Sequence, residues 1–153
     1  MQHHFTIQLD WQKQEENSEN RRKLKNHTIR IEGKKVLEVS AAKPFKGDES
    51  LHNPEDLLLC SVASCHMMSY LYCCQQNNIE VVAYDEDNAE AILEVNSNGS
   101  GSIIKVLLKP QIKIKHSHDI QKAIELHSEA GRLCFIANSC NFPIEYWPTC
   151  TPV

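Results

Sequence analysis

The segment from Asn53 to Asn77 places the strongest constraint on what this 153-residue chain can fold into. Asn53 is a good helix cap, Pro54 suits a first helical position, and Glu55 and Asp56 place negative charge where the helix dipole favours it. Apolar side chains then point in nearly every direction around the predicted helix. Because such a helix is normally buried, we predict that it forms the centre of the fold.

The rest of the chain predicts strands on both sides of this helix. Alternating apolar and polar residues indicate strands at 5–11, 27–31, 35–39, 79–84, 89–95, 103–108 and 111–116. A second, amphipathic helix begins near Asp119 and carries Cys134 at or just beyond its end. The proline-rich tail should pack as an extended segment. We therefore predict one α+β domain over residues 1–153, with antiparallel sheets packed around a long buried central helix.

Charge and composition argue against several functional classes. The net charge of -4 and the pI near 6.0 provide no basic surface for nucleic acid. We find no apolar run long enough to span a bilayer, and residues 1–11 lack the basic and apolar regions of a secretory signal. We expect a cytoplasmic protein that binds neither nucleic acid nor membrane.

The cysteines are more informative than the overall composition. Their odd number, with no export signal, argues against structural disulfides and for reduced thiols. Structural zinc sites use spaced ligand pairs, whereas the pairs Cys65-His66 and Cys73-Cys74 are directly adjacent, so we expect no metal. Taken alone, Cys65 is most simply an inert core thiol, and Cys60, Cys73 and Cys74 on the same predicted helix are expected in the core as well. The seven are Cys60, Cys65, Cys73, Cys74, Cys134, Cys140 and Cys150.

Two segments together resemble a known family. NPEDLLLCSVASCH at 53–66 is similar to the helix of the OsmC/Ohr family, the osmotically inducible and organic hydroperoxide resistance proteins. LCFIANS at 133–139 resembles the second-cysteine motif of that family. The resemblance implies an OsmC-like fold in an intertwined homodimer. It also implies a cysteine-based peroxidase that reduces organic hydroperoxides with an external thiol or dithiol and no cofactor or metal.

The resemblance also implies roles for particular residues. Cys65 would be the peroxidatic thiol and Cys134 the resolving thiol, while Glu55 would hold a catalytic arginine. Where relatives similar to this chain are expected to have that arginine, this sequence has a lysine. Three residues are candidates to supply the positive charge: Arg21, Arg22 and Lys25.

The spacing of Glu55 and Cys65 bears on how one site is assembled. Ten residues of straight helix separate them by about 15 Å and turn them roughly 80° apart, which one carboxylate cannot bridge. Either the chain bends after Asp56, or the Glu55 and arginine that serve one thiol come from a partner subunit. We favour the partner, because a helix that is apolar all round needs a further surface to cover it.

Two other functions stay open from the sequence. The chain could be a redox sensor without turnover, since the usual arginine is missing, or a dimer that binds a small molecule in its interface cleft. Cys140 is an alternative resolving thiol, and His127 is expected to be a hydrogen-bonded core histidine. Six side chains are candidates to line an apolar substrate slot: Met67, Met68, Phe135, Phe142, Tyr146 and Trp147.

Overall fold

In the part of the chain that the structure describes, regular structure comprises two α-helices, nine β-strands and four short 3-10 helices. The structure is a computed structural model that describes residues 1–13, 15 and 21–153, the side chains of residues 21 and 22 excepted. The α-helices are α1 (Pro54–Gln76) and α2 (Ile120–Leu133). The strands are β1 (Gln8–Asp10), β2 (His27–Arg30), β3 (Leu37–Val39), β4 (Val81–Asp85), β5 (Glu90–Val95), β6 (Gly101–Leu108), β7 (Gln111–Ile114), β8 (Ile144–Tyr146) and β9 (Thr149–Pro152). The 3-10 helices are Arg21–Lys25, Lys43–Phe45, Ser117–Asp119 and Ala137–Ser139.

Helix α1 begins and ends where the sequence predicts. The side-chain oxygen of Asn53 accepts a hydrogen bond from the Asp56 N–H at 2.9 Å, which satisfies one of the free donors of the first turn. At the other end, Asn78 adopts a left-handed φ of 57°. The Ile79 N–H then bonds to the Cys74 carbonyl at 2.9 Å, a common way to end a helix. The 23-residue helix is continuous between these ends.

Contacts divide the chain into two compact units, residues 1–58 and 59–153. The first unit contains an antiparallel sheet in the order β1-β2-β3. Gly33 has a φ of 74° in the turn between β2 and β3, a left-handed conformation that favours glycine. Strand β1 is shorter than the predicted strand at 5–11. The single domain predicted over residues 1–153 stays a prediction.

The second unit contains two three-stranded sheets, β4-β7-β9 and β5-β6-β8. The pairs β4–β7 and β5–β6 are antiparallel, as predicted. Strands β8 and β9, however, run parallel to β6 and β7, so the sheets are not purely antiparallel. The C-terminal tail, predicted only to be extended, adds one strand to each sheet. Pro148 lies between these two strands, in a position where its missing N–H costs no ladder hydrogen bond.

One face of α1 packs into the core of the second unit. Tyr70, Cys73 and Cys74 contact buried residues of α2 and β7, and Val62 contacts the buried end of β6. The sheets and α2 therefore cover α1 along one side. The predicted burial of Cys73 and Cys74 is confirmed.

The opposite face of α1 is exposed in the single chain, and we call it the exposed strip. Met68 keeps 58% of its surface and Tyr72 keeps 54%, so the predicted burial of the helix on all sides is wrong for one chain. Cys60, predicted to be core, is also exposed. The reason is that no element in the described ranges covers this face. The strip consists of Cys60, Ser64, Met68, Leu71 and Tyr72.

The sequence of α1 also satisfies the length and composition of a membrane span. The helix has 23 residues, and its most apolar window has a mean hydropathy of 1.5. The expectation that no apolar run is long enough to span a bilayer was therefore wrong by the criteria of length and composition. A buried core helix passes the same test. In this structure α1 packs one face against α2 and both sheets of the second unit, and 33% of that window is buried.

Gly47 provides a test of the packing in the first unit. A Cβ at this position would lie 1.7 Å from the Ala41 carbonyl oxygen. We expect Gly47→Ala to lower the free energy of unfolding by about 3 kcal/mol, because the backbone of residue 41 or 47 must move. The control is Gly99→Ala, where φ is 83° but the space is open, with an expected cost of about 1 kcal/mol. Equal urea midpoints for the two variants would contradict the packing described for Gly47.

Candidate active site

Two cysteines from different helices meet in the second unit. Cys65 lies in the middle of α1 and is half-buried, whereas Cys134 is fully buried directly after α2. The two thiols are close enough for Cys65 to raise the pKa of Cys134, and neither is in a disulfide. The structure therefore brings together the two thiols that the sequence singles out. The peroxidatic and resolving roles of these residues stay predictions.

The turn that follows α2 fixes the position of Cys134. Its N–H bonds to the Ala130 carbonyl at 2.9 Å, and its sulfur accepts a hydrogen bond from the Ala137 N–H at 3.4 Å. Burial, followed by the hydrogen bond to Cys65, raises the pKa of Cys134 to about 11, while the Ala137 N–H acts in the opposite direction. Cys134 is therefore a neutral thiol at pH 7.

An apolar cleft of about 380 Å³ opens beside Cys65. Phe135, predicted as a slot residue, is 83% exposed at this cleft, and Met68 also lines it as predicted. Phe142 instead packs in the core around Val62. An apolar wall with a thiol in it suits an apolar molecule that carries a reactive polar group. The lining residues are Cys65, Met68, Ser69, Tyr72, Leu133 and Phe135.

Two buried histidines form a pair between α1 and α2. Nε2 of His66 and Nδ1 of His127 are 3.0 Å apart, so one ring donates a hydrogen bond to the other. Burial lowers the pKa of His66 to about 4, and burial together with His66 lowers the pKa of His127 to about 3. Both rings are neutral at pH 7. The expectation that His127 is a hydrogen-bonded core residue is confirmed.

Tyr146 connects the histidine pair to the thiols. Its ring stacks on His66 with 4.2 Å between ring centroids and 19° between planes. Its hydroxyl lies against Gly131, where an added Cβ would be 2.8 Å away. Burial raises the pKa of Tyr146 to about 12, and Cys134 and Cys65 contribute to the rise. Tyr146 is thus a neutral phenol close to both sulfurs.

Sequence reasoning missed the partnership of His66, Tyr146 and Gly131. Of these three residues, only Tyr146 was singled out from the sequence, as a candidate to line the apolar substrate slot. One signal was available: His66 directly follows Cys65, and His127 lies on the apolar face of the second predicted helix. Two histidines on core faces of neighbouring helices can satisfy each other.

The structure places Glu55 in the first turn of α1, with Oε2 buried and without a hydrogen-bond partner among the described residues. Helix α1 runs without a break from Pro54 to Gln76, so Asp56 and the residues that follow it belong to one helix. Lys25 donates from Nζ to the Phe45 carbonyl at 2.6 Å. The side chains of the other two candidates, Arg21 and Arg22, lie outside the described part of the chain.

A search of the described residues finds no group of three or more His, Cys, Asp and Glu side chains that could hold a metal ion. A second thiol and an apolar cleft lie beside Cys65, and the phenol of Tyr146 is near enough for both thiols to raise its pKa. These groups can support chemistry at sulfur.

The fold and its paired thiols define a class, that of small α+β proteins built around one long helix. The sequence profile described as OsmC-like protein matches residues 47–147. The chain therefore belongs to the OsmC-like family, and the predicted OsmC-like fold is confirmed. A sequence search of curated proteins finds no significant match.

Solved structures share this fold along nearly their entire length. An OsmC-like protein of unknown function from Vibrio cholerae is 25% identical, with a TM-score of 0.82, and the match covers 96% of this chain and 99% of that one. An OsmC-like protein from Mycoplasma pneumoniae is 15% identical, with a TM-score of 0.70 over 100% and 99% of the two chains. An organic hydroperoxide resistance protein from Elizabethkingia anophelis is 18% identical, with a TM-score of 0.68 over 100% of both.

The buried histidines predict loss of stability in acid. The pKa of His66 is about 4 in the folded protein, whereas the reference value for histidine is 6.5. Between pH 4 and pH 6.5 the unfolded chain therefore binds more protons than the folded protein. The stability associated with neutral His66 is fully present above about pH 6.5 and is lost as the pH falls towards 4, by about 3 kcal/mol. Urea unfolding across this range measures the loss. His118→Gln, which removes an exposed imidazole, should leave the profile unchanged; a flat profile in the unmodified protein would contradict the buried neutral pair.

Proposed function

We propose that this protein is a thiol-dependent peroxidase that reduces organic hydroperoxides, with Cys65 as the attacking thiol and Cys134 as the resolving thiol. The observation that carries the proposal is the contact between these two thiols at the wall of an apolar cleft. Membership of the OsmC-like family supports it, as does the fold shared with an organic hydroperoxide resistance protein.

The proposed cycle uses only the two sulfurs and external reactants. The Cys65 thiolate attacks one oxygen of the hydroperoxide, the O–O bond breaks, and the other oxygen leaves as an alkoxide that takes up a proton. The Cys65 sulfenic acid then condenses with the Cys134 thiol, forming a disulfide and releasing water. An external dithiol reduces the disulfide and is itself oxidised to a disulfide. The proposal requires no haem or metal and assigns the reaction to the cytoplasm.

The raised pKa of Cys134 supports this division of labour. A thiol must be deprotonated to attack a peroxide, and a thiol with a pKa of about 11 is almost entirely protonated at pH 7. Cys134 is also fully buried, whereas Cys65 lines the cleft. Cys65 is therefore the first site of oxidation, and Cys134 acts once sulfenic acid has formed next to it.

The apolar cleft supports organic rather than inorganic peroxide as the substrate. Leu133 and Phe135 can bury the carbon chain of an alkyl hydroperoxide, and Ser69 offers a hydroxyl near the reacting oxygens. Hydrogen peroxide would gain nothing from the apolar wall.

A homodimer would complete the site. The exposed strip of α1 leaves large apolar side chains uncovered, and Glu55 Oε2 is buried without a partner among the described residues. A second copy would cover the strip. It would also place the carboxylate of one chain, with a basic residue from Arg21, Arg22 or Lys25, near the thiol of the other. A guanidinium held in this way would favour the thiolate form of cysteine.

A redox sensor is the second candidate. Within the described part of the chain, the residues lining the Cys65 cleft include no cation, and neither do the groups that shift the pKa of Cys134. A pair that oxidises once and is reduced slowly would report peroxide without consuming it in quantity. Repeated turnover with a dithiol distinguishes the two candidates.

Single cysteine replacements test the assignment of the thiols. Cys65→Ser should abolish hydroperoxide consumption, and Cys134→Ser should stop after about one oxidation per chain, because the sulfenic acid has no resolving partner. The assay is consumption of an alkyl hydroperoxide with excess dithiol. Cys60→Ser is the matched control on α1 and should retain activity, while sustained turnover by Cys65→Ser would refute the assignment.

Replacement of one strip residue tests the homodimer. Leu71→Glu should convert a dimer into a monomer of about 17.5 kDa and reduce peroxidase activity strongly, because a charge would be buried in the interface. Val82→Glu is the control, since Val82 is comparably exposed but lies on β4. Sedimentation velocity measures the mass. A fully active monomer of the unmodified protein would rule out a composite site.

A further inference from the structure

A second cleft, of about 470 Å³, lies along α2, and six of its nine lining residues have polar side chains. It shares no lining residue with the apolar cleft beside Cys65. Its volume falls in the range of small-molecule sites. The proposed peroxidase reaction makes no use of it. The polar side chains in its wall are Glu125, His127, Ser128, Arg132, Asn138 and Tyr146.

A buried polar atom without a partner belongs to this wall. His127 is 2% exposed, and its Nδ1 is bonded to His66, but its Nε2 has no hydrogen-bond partner among the described residues. A buried nitrogen in this state costs free energy unless something else satisfies it. Because His127 lines the cleft, a molecule in the cleft or a water held with it can satisfy this nitrogen.

The wall of the cleft contains one positively charged and one negatively charged side chain. Arg132 and Glu125 lie seven residues apart on one face of α2, about 10 Å along the helix. Arg132 makes no salt bridge within the described ranges, and Glu125 accepts a hydrogen bond from the Gln121 amide at 3.0 Å. A guanidinium is the best partner for a carboxylate, and a carboxylate attracts an ammonium group. The two ends therefore favour a ligand with a negative and a positive end.

We propose that this cleft is a binding site for a small zwitterion of about the size of a dipeptide. Its carboxylate would bind Arg132 and its ammonium group would bind Glu125. The terminal charges of an extended dipeptide are about 7 Å apart, which the two side chains can span from backbones about 10 Å apart. Ser128 and Tyr146 offer hydroxyls to the peptide group between the charges, and Ile124 and Pro148 provide apolar contact for a side chain.

The charges also exclude other ligands. A phosphate dianion or a dicarboxylate would bring one negative charge towards Glu125, and a diamine would bring a positive charge towards Arg132. An uncharged apolar molecule would leave Arg132, Glu125 and His127 unsatisfied. A ligand with one charge of each sign avoids all three costs.

The test uses the full-length reduced protein and glycyl-leucine as the probe, with binding followed by amide NMR shifts. We expect binding at millimolar concentration with shifts centred on α2. N-acetyl-glycyl-leucine lacks the positive end and glycyl-leucinamide lacks the negative end, and each should bind about tenfold more weakly. The absence of binding by glycyl-leucine, or equal binding of all three compounds, would overturn the proposal.

Two variants assign the charges to residues. Arg132→Gln should weaken glycyl-leucine binding about tenfold and should remove the penalty for amidation, because the guanidinium no longer distinguishes a carboxylate from an amide. Glu125→Gln should likewise weaken glycyl-leucine binding about tenfold, and it should remove the penalty for N-acetylation. Lys122→Gln and Glu129→Gln remove charges from α2 outside the cleft and should bind like the unmodified protein. If Arg132→Gln keeps the penalty for amidation, or Glu125→Gln keeps the penalty for N-acetylation, the assignment is overturned. None of these binding measurements depends on peroxidase activity.

Discussion

The contact between the thiols of Cys65 and Cys134 is the interaction on which the rest of the account depends. It exists because α1 and α2 pack in one core, where Tyr70 and Cys73 of α1 meet Leu126 and Ala130 of α2. That packing buries apolar surface and fixes the helices relative to each other. Two thiols held next to each other by a packed core are the arrangement that the proposed disulfide requires.

The polar groups beside the pair are stabilised mainly by stacking and by each other. His66 and His127 share one hydrogen bond, and Tyr146 and Tyr70 stack on their outer faces, at 4.2 Å and 3.9 Å between centroids. Burial keeps both imidazoles neutral. Among the described residues, the core next to the thiols therefore contains hydrogen-bonding groups without a fixed charge.

Much of this could be predicted from the sequence because it depends on local patterns. The cap at Asn53 fixed the start of α1, and the two cysteine motifs identified the family together. The rest depends on contacts between distant residues. The pairing of His66 with His127 needs the packing of two helices, and the parallel strands β8 and β9 depend on where the tail joins each sheet. The exposure of Cys60 was missed because an apolar pattern does not say whether its own chain or a second copy covers it.

The most direct test of the central claim is to identify the bond that peroxide creates. The reduced protein is treated with one equivalent of an alkyl hydroperoxide, remaining thiols are alkylated, and the peptides are mapped by mass spectrometry. The account predicts a single disulfide between Cys65 and Cys134, with the other cysteines alkylated. A bond from Cys65 to Cys140, or a protein in which both Cys65 and Cys134 remain alkylated, would contradict it.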